Sequence, residues 1–279
     1  MTGFFLFVIA LGYFISYLYD APAILYGAAI VSIVMNITAY WFSDKIALAT
    51  SGAKPVTREQ ALDLYRIVEN LSITAGLPMP RLYIIPSGQI NAFATGRNPE
   101  HAAVAVTEGA LSKLDENELQ GVLAHELSHV GNRDILVSTV VVVLAGVISM
   151  ISDIFLRFGG LSRRDDDNRG SNVTAIVAIV AMILAPIAAT LIHLAVSRKR
   201  EFLADASGAL LTRYPAGLAS ALEKIAQDQM PLRHATSATA HLYLANPFKG
   251  RSRSGWFTKL FMTHPPVEER IAALRGLEV

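Results

Sequence analysis

The chain has no cysteine. Disulfides, thiolate metal ligands and a cysteine nucleophile are therefore excluded, and any metal must be held by His, Asp or Glu. Charge is scarce as well. Asp, Glu, Lys and Arg make up 17% of the 279 residues against 52% hydrophobic residues, a more apolar balance than a soluble domain of this size carries. A membrane protein is the class this favours. The formal net charge is only +1, with Lys and Arg scattered, so no concentrated basic face exists for phosphates and no nucleic-acid partner is expected. A phosphate-binding glycine loop is also missing, so the chain carries no evident ATPase of its own. No basic stretch precedes the first apolar run and no convincing cleavage site follows it, so that run reads as a retained anchor rather than a signal peptide.

What is present falls into four apolar segments. Residues 3–18 and 23–42 carry no charged side chain and are joined by a turn with Asp20, Ala21 and Pro22, which reads as a transmembrane hairpin. Residues 135–156 and 173–196 form a second pair, each long enough at ~1.5 Å per residue to cross a hydrocarbon layer of about 30 Å. Asp153, Pro186 and His193 inside them leave a buried helical hairpin of a soluble core as the alternative. Lys45, Lys54, Arg58, Arg198, Lys199 and Arg200 flank the polar side, which favours a cytoplasmic location for the polar bulk. Arg157, Arg163, Arg164 and Arg169 in the loop between the second pair argue the other way.

The expected organisation has four parts: a membrane hairpin (1–43), a first catalytic part (44–134), a second membrane hairpin (135–197) and a second catalytic part (198–279). In the first polar part, residues 57–75 place Ala61, Leu64, Tyr65, Val68 and Leu71 on one helical stripe, with Thr57 and Gln60 at capping-box spacing and Gly76 as a stop. Runs at 81–86, 90–95 and 102–107 are rich in strand formers and punctuated by Gly88, Gly96, Asn98 and Pro99, which predicts a small sheet. Residues 115–131 read as a helix capped by Asp115, and "SRKREFLADASGALL" and the stretch from Pro266 onward as two more. Residues 245–257 read as an exposed loop.

The chemistry sits in "HELSH". Four helical residues turn the chain through about 400°, so His125 and His129 project from nearly one face and suit a single zinc ion. Glu126, about 100° further round, can reach a water activated there without being a ligand, which is the arrangement of a peptide hydrolase. A chain of this length shows the pattern by accident on the order of one time in a hundred. A catalytic zinc needs a third protein ligand, and the remaining His, Asp and Glu are all candidates. Glu201 and Asp205 share a helical face at i, i+4: Glu201 could ligate while Asp205 holds a ligand histidine's second ring nitrogen. By spacing alone, however, that pair reads as a solvated helix face. His264, before two prolines, could donate to a developing oxyanion, though a loop or cap histidine is the simpler reading.

Together, "GLPMPRLYIIPS", "NAFATGRNP", "VAVTEGAL", "LAHELSHVGNRD", "SRKREFLADASGALL" and "HPPVEER" resemble the HtpX-type integral-membrane zinc metalloproteases, kin to the CAAX prenyl proteases, over nearly the whole chain. The resemblance implies an α+β membrane protein: four hydrophobic helices with a gluzincin-type domain and a small β-sheet. It implies His125, His129 and Glu201 as ligands of one Zn2+, Glu126 as general base and acid, Asp205 as a partner of a ligand histidine, and Asn91 and His264 as contacts to substrate or the tetrahedral intermediate. Implied too are an inner-membrane location facing the cytoplasm, and unfolded or damaged membrane proteins as substrates in quality control and heat stress, with room for an ATP-dependent membrane protease as partner. The region from Asn91 to Val106 would offer an edge for antiparallel pairing with extended substrate, so proline at Ala92 or Ala94 is expected to impair hydrolysis. Rival readings are a membrane scaffold with a structural zinc, which has no need of Glu126, and a prenyl-protein processing peptidase.

Overall fold

The structure is a computed structural model describing residues 2–18, 20–138, 141, 198–232, 239, 242–244 and 265–277. It divides into two compact units, Met1–Ser43 and Asp44–Val279. The loops at 163–172 and 245–257, most of the second apolar pair, His193 and His264 lie outside the described residues.

In the first unit, α1 (Thr2–Leu18) is joined to α2 (Pro22–Thr50) through Asp20. A Cβ at Gly12 would collide with Ala28, so the two helices meet through small residues. Large apolar side chains point outward, among them Tyr17, Tyr26, Ile30 and Trp41. Among the described residues no single helix is long and apolar enough to cross a membrane, but Leu25–Thr38 and Tyr40–Thr50, bent by 66°, are so together. The helix does not stop at residue 42 as the apolar pattern predicts. It continues to Thr50, and its last residues belong to the second unit, where Ala47 and Leu48 are buried in one cluster with Ile85 and Phe93 of the sheet.

That sheet has the order β1-β2-β4-β3, formed by Lys54–Pro55, Arg81–Ile85, Ala92–Thr95 and Ala103–Thr107. β2 and β4 are parallel, and β1 and β3 flank them antiparallel. β1 is too short and polar to be read from sequence. β3 and β4 are buried along their whole length and apolar up to their closing threonines, Thr95 and Thr107, as expected of strands covered on both faces. Leu82, Ala92, Ala94, Val104 and Val106 face one cluster with α3 (Leu62–Ala75) and α5 (Glu116–Gly131). Ile85, Phe93, Ala103 and Ala105 face a second cluster with Ala47, Leu48, Leu232 and Tyr243.

α3 starts later than the capping-box spacing predicts. Gln60 Oε1 does accept from Thr57 N (2.9 Å), but Gln60 and Ala61 N–H both return to Thr57 O, so the pair closes a turn and the helix begins at Leu62. Its end is as expected, with Gly76 at φ +65° in the left-handed region that glycine tolerates. Between β4 and α5 lies the short α4 (Glu108–Lys113). Beyond residue 197 come α6 (Arg198–Thr212), α7 (Pro215–Gln227) and α8 (Val267–Arg275).

The start of α5 is locked from two sides. Asp115 Oδ1 accepts from Glu118 N and Glu118 Oε2 from Asp115 N, a full capping box. The same Glu118 carboxylate accepts from Ser220 Oγ and Lys224 Nζ of α7, both at 2.6 Å. Burial opposes ionisation of Glu118, but the Lys224 and Ser220 bonds and the Asp115 N–H outweigh it and hold its pKa below the ordinary 4.5. A depressed folded pKa means that Glu118 stabilises the fold fully above about pH 4.5 and loses that contribution as pH falls through the lower folded value. Glu118→Gln is therefore expected to cost about 1.5–3 kcal/mol at neutral pH. Denaturant titrations across pH should show the gap to wild type closing below pH 4.5; a gap independent of pH would remove the charge from this account.

Candidate metal centre

Small residues bring the site together. A Cβ on Gly208 of α6 would lie 2.9 Å from His125 N and 3.2 Å from Ala124 C, so α5 and α6 cross in backbone contact. This crossing aims Glu201 and Asp205 at the histidines of α5. Gly208→Ala would wedge the two helices apart, with an expected cost of about 1–3 kcal/mol. Zinc titration should show weaker metal binding as well, and an unchanged affinity would mean that the crossing does not set the ligand spacing.

His125 Nε2 and His129 Nε2 are 3.2 Å apart, with Glu201 Oε2 at 3.8 Å from the first and Oε1 at 3.6 Å from the second. His125, His129 and Glu201 form a group whose ligand atoms lie within 4.8 Å of one another. The outer ring nitrogens are both committed. His125 Nδ1 lies 2.9 Å from Asp205 Oδ1, and His129 Nδ1 lies 3.1 Å from Asp134 Oδ2. A carboxylate can only accept, so each Nδ1 carries its proton and each Nε2 presents a lone pair. Two lone pairs and a carboxylate converging on one point repel each other unless a cation sits between them. The 3.2 Å spacing is close to the tetrahedral edge of about 3.3 Å that follows from zinc–nitrogen bonds near 2.05 Å. The charges agree: among the described residues the guanidiniums of Arg270 and Arg200 offset part of the negative charge of Glu126, Glu201, Asp205 and Asp134, and a divalent cation would offset more. The residues fit a metal.

Arg270 of α8 is the residue that the sequence reading missed. Fully buried, it donates through Nε to Asp205 Oδ2 (2.8 Å) and through Nη2 to Asp205 Oδ1 (2.7 Å), the same oxygen that meets His125. Its Nη1 is 3.5 Å from Glu201 Oε2. One guanidinium thus ties the carboxylates of α6 to the histidine of α5. Asp134, also missed, reaches His129 because the chain turns back at Arg133, which adopts φ +59°, before becoming helical again; Arg200 Nη1 donates to Asp134 Oδ1 (3.1 Å). Arg270 lies in "HPPVEER" and Asp134 in "HELSHVGNRD", but no helical or strand period links either to its partner.

Electrostatics follow from this packing. Burial pushes the Glu126 pKa up, only partly offset by His125 and His129, and Ala94 N–H of β3 bonds its carboxylate. Burial also opposes ionisation of Asp205, yet Arg270 and His125 prevail and hold it at about 2. His129 is raised despite burial, through Asp134, Glu201 and Glu126. Asn91 is fully buried just before β3, with Nδ2 on Gln89 Oε1 (3.1 Å) and Oδ1 accepting from Ala92 N (3.1 Å).

Comparison with known proteins places the chain. Residues 58–278 match Peptidase family M48. The "Protease HtpX homolog" of Syntrophobacter fumaroxidans is 50% identical over 255 residues, covering 90% of this chain and 88% of that one. Homologs of the same description from Pyrococcus furiosus (50% over 250 residues, 88% and 84% covered) and Caldanaerobacter subterraneus subsp. tengcongensis (44% over 281 residues, 98% and 92% covered) are similar to it. Among solved structures, S. mikatae Ste24p shares the fold with a TM-score of 0.50 at 15% identity, covering 98% of this chain and 67% of that one. Together these matches establish that the chain belongs to Peptidase family M48 and is a metalloendopeptidase of the HtpX type.

Proposed function

We propose that this metalloendopeptidase is a zinc enzyme working at a membrane surface on unfolded or damaged membrane proteins. The observation that carries the zinc reading is the convergence of His125 Nε2, His129 Nε2 and the Glu201 carboxylate, with both Nδ1 atoms held by carboxylates. These three residues would hold the ion, the two-histidine, one-carboxylate set of a catalytic zinc. When bound, the metal supplies Lewis acidity, lowering the pKa of water towards neutral and polarising the scissile carbonyl. Glu126 takes a proton from the attacking water onto its carboxylate and returns it to the leaving amine, a shuttle that its raised pKa favours. Asp205 and Asp134 fix the tautomers of His125 and His129, and Arg270 fixes Asp205. An unfolded substrate segment would lie antiparallel along β3, the outer strand. Asn91 and His264 are proposed contacts to substrate or the tetrahedral intermediate.

The apolar surface of the first unit supports a membrane hairpin at 1–43, and the apolar sequence at 135–197 a second one between the two catalytic parts, 44–134 and 198–279. The basic flanks favour an active site on the cytoplasmic side of a bacterial inner membrane. Cooperation with an ATP-dependent membrane protease would supply the unfolding force that the chain lacks. The test uses the full chain in detergent with an unfolded membrane-protein reporter. Cleavage is expected to vanish with a zinc chelator and return with zinc but not calcium; cleavage by metal-free protein would overturn the reading.

A further inference from the structure

β3 is the outer strand, and Thr107 N–H donates to Asn91 O (3.1 Å) across its inner side. In an antiparallel pair the groups alternate, so Ala92 and Ala94 turn their backbone N–H and C=O to the outer edge. The Ala94 N–H meets Glu126. The Ala92 carbonyl accepts from Leu244 N at 3.2 Å. Residues 243 and 244 then alternate about the edge as a strand would. Tyr243 packs edge-on against Phe93 (ring centroids 5.2 Å apart, planes at 83°) in the cluster on that face, while Leu244 joins the cluster containing Ala92 and Ala94.

We propose that Leu244 is a specificity-determining end-stop that terminates substrate pairing along β3 at Ala92. This rests on the strand-addition reading above. The stop is fixed rather than displaceable, because Leu242, Tyr243 and Leu244 are all buried and anchored on both faces of the sheet. A segment antiparallel to β3 runs towards Ala92 in its C-terminal direction, and Ala92 lies about 6.8 Å along the strand from the catalytic carboxylate's partner, Ala94. Backbone pairing on the leaving-group side therefore ends one rung past Glu126. Recognition is concentrated before the scissile bond, and the chain after it must leave the sheet.

The test uses the full chain in detergent and quenched peptides identical up to the cleaved bond. Shortening the far side from about eight residues to about two should change kcat/KM by less than about twofold, whereas shortening the near side should lower it about tenfold or more. Leu244→Pro, which lacks the donor, should acquire a dependence on far-side length. Independently of folding in that variant, hydrogen exchange on Glu126→Gln with bound peptide should leave the Leu244 amide protected. A wild-type rate that climbs with far-side length, or loss of that protection, overturns the end-stop and leaves the peptidase reading standing. Cleavage indifferent to Glu126→Gln overturns the peptidase reading instead.

Discussion

Glu126→Gln is expected to reduce peptide hydrolysis by about 10²–10⁴-fold while metal content stays unchanged. The substitution is nearly isosteric, so the buried position beside Ala94 N–H keeps its shape and the amide oxygen still accepts that bond. What disappears is the ability to hold a proton. Neither His125 nor His129 can substitute, because each ring's Nδ1 proton is held by a carboxylate and each Nε2 faces the metal position. Metal analysis beside steady-state kinetics separates the roles. Loss of zinc together with activity would make Glu126 a ligand, and unchanged cleavage would end the proposed mechanism.

The second large effect is expected at Arg270. Arg270→Met fills similar space but strands Asp205, whose carboxylate is held at about 2 by the guanidinium and His125. Breaking a buried pair by removing one partner costs about 3–5 kcal/mol. Asp205 would relieve the strain by taking up a proton, and its grip on the His125 tautomer would weaken, with metal affinity falling about 10–100-fold. Lys at this position should rescue little, since it has no fork to span both carboxylate oxygens. Denaturant unfolding and zinc titration read the two effects separately. Adding Asp205→Asn should recover much of the stability but not the affinity, and a variant within about 1 kcal/mol of wild type would show that Arg270 does not carry the pair.

Local regularities were legible in the sequence, and tertiary ones were not. The approach of His125 to His129 follows from one helical turn, and the α5 start follows from Asp115 and Glu118 three residues apart. The strands β2, β3 and β4 and the helices α6 and α8 lie where strand formers, helical periodicity and proline placed them. Glu201 and Asp205 were ambiguous, because an i, i+4 acidic pair looks the same whether it faces water or, through Gly208, the backbone of another helix. Arg270 was invisible for a stronger reason: a charged residue near "EER" reads as solvated surface, and only the assembled fold puts it at zero exposure. The extension of α2 to Thr50 and the two-residue β1 depend in the same way on packing against partners distant in sequence.

Arg270 lies 145 residues after His125 in the chain. At about 5–20 residues per second, a ribosome takes roughly 7–30 s to travel from α5 to the residue that steadies its histidine. During that interval the growing polypeptide holds two histidines and a glutamate but lacks the clamp between them. The ligand histidine of the nascent chain therefore goes without its steadying carboxylate–guanidinium pair until translation has passed residue 270, so the metal site is completed only when the C-terminal helix is made.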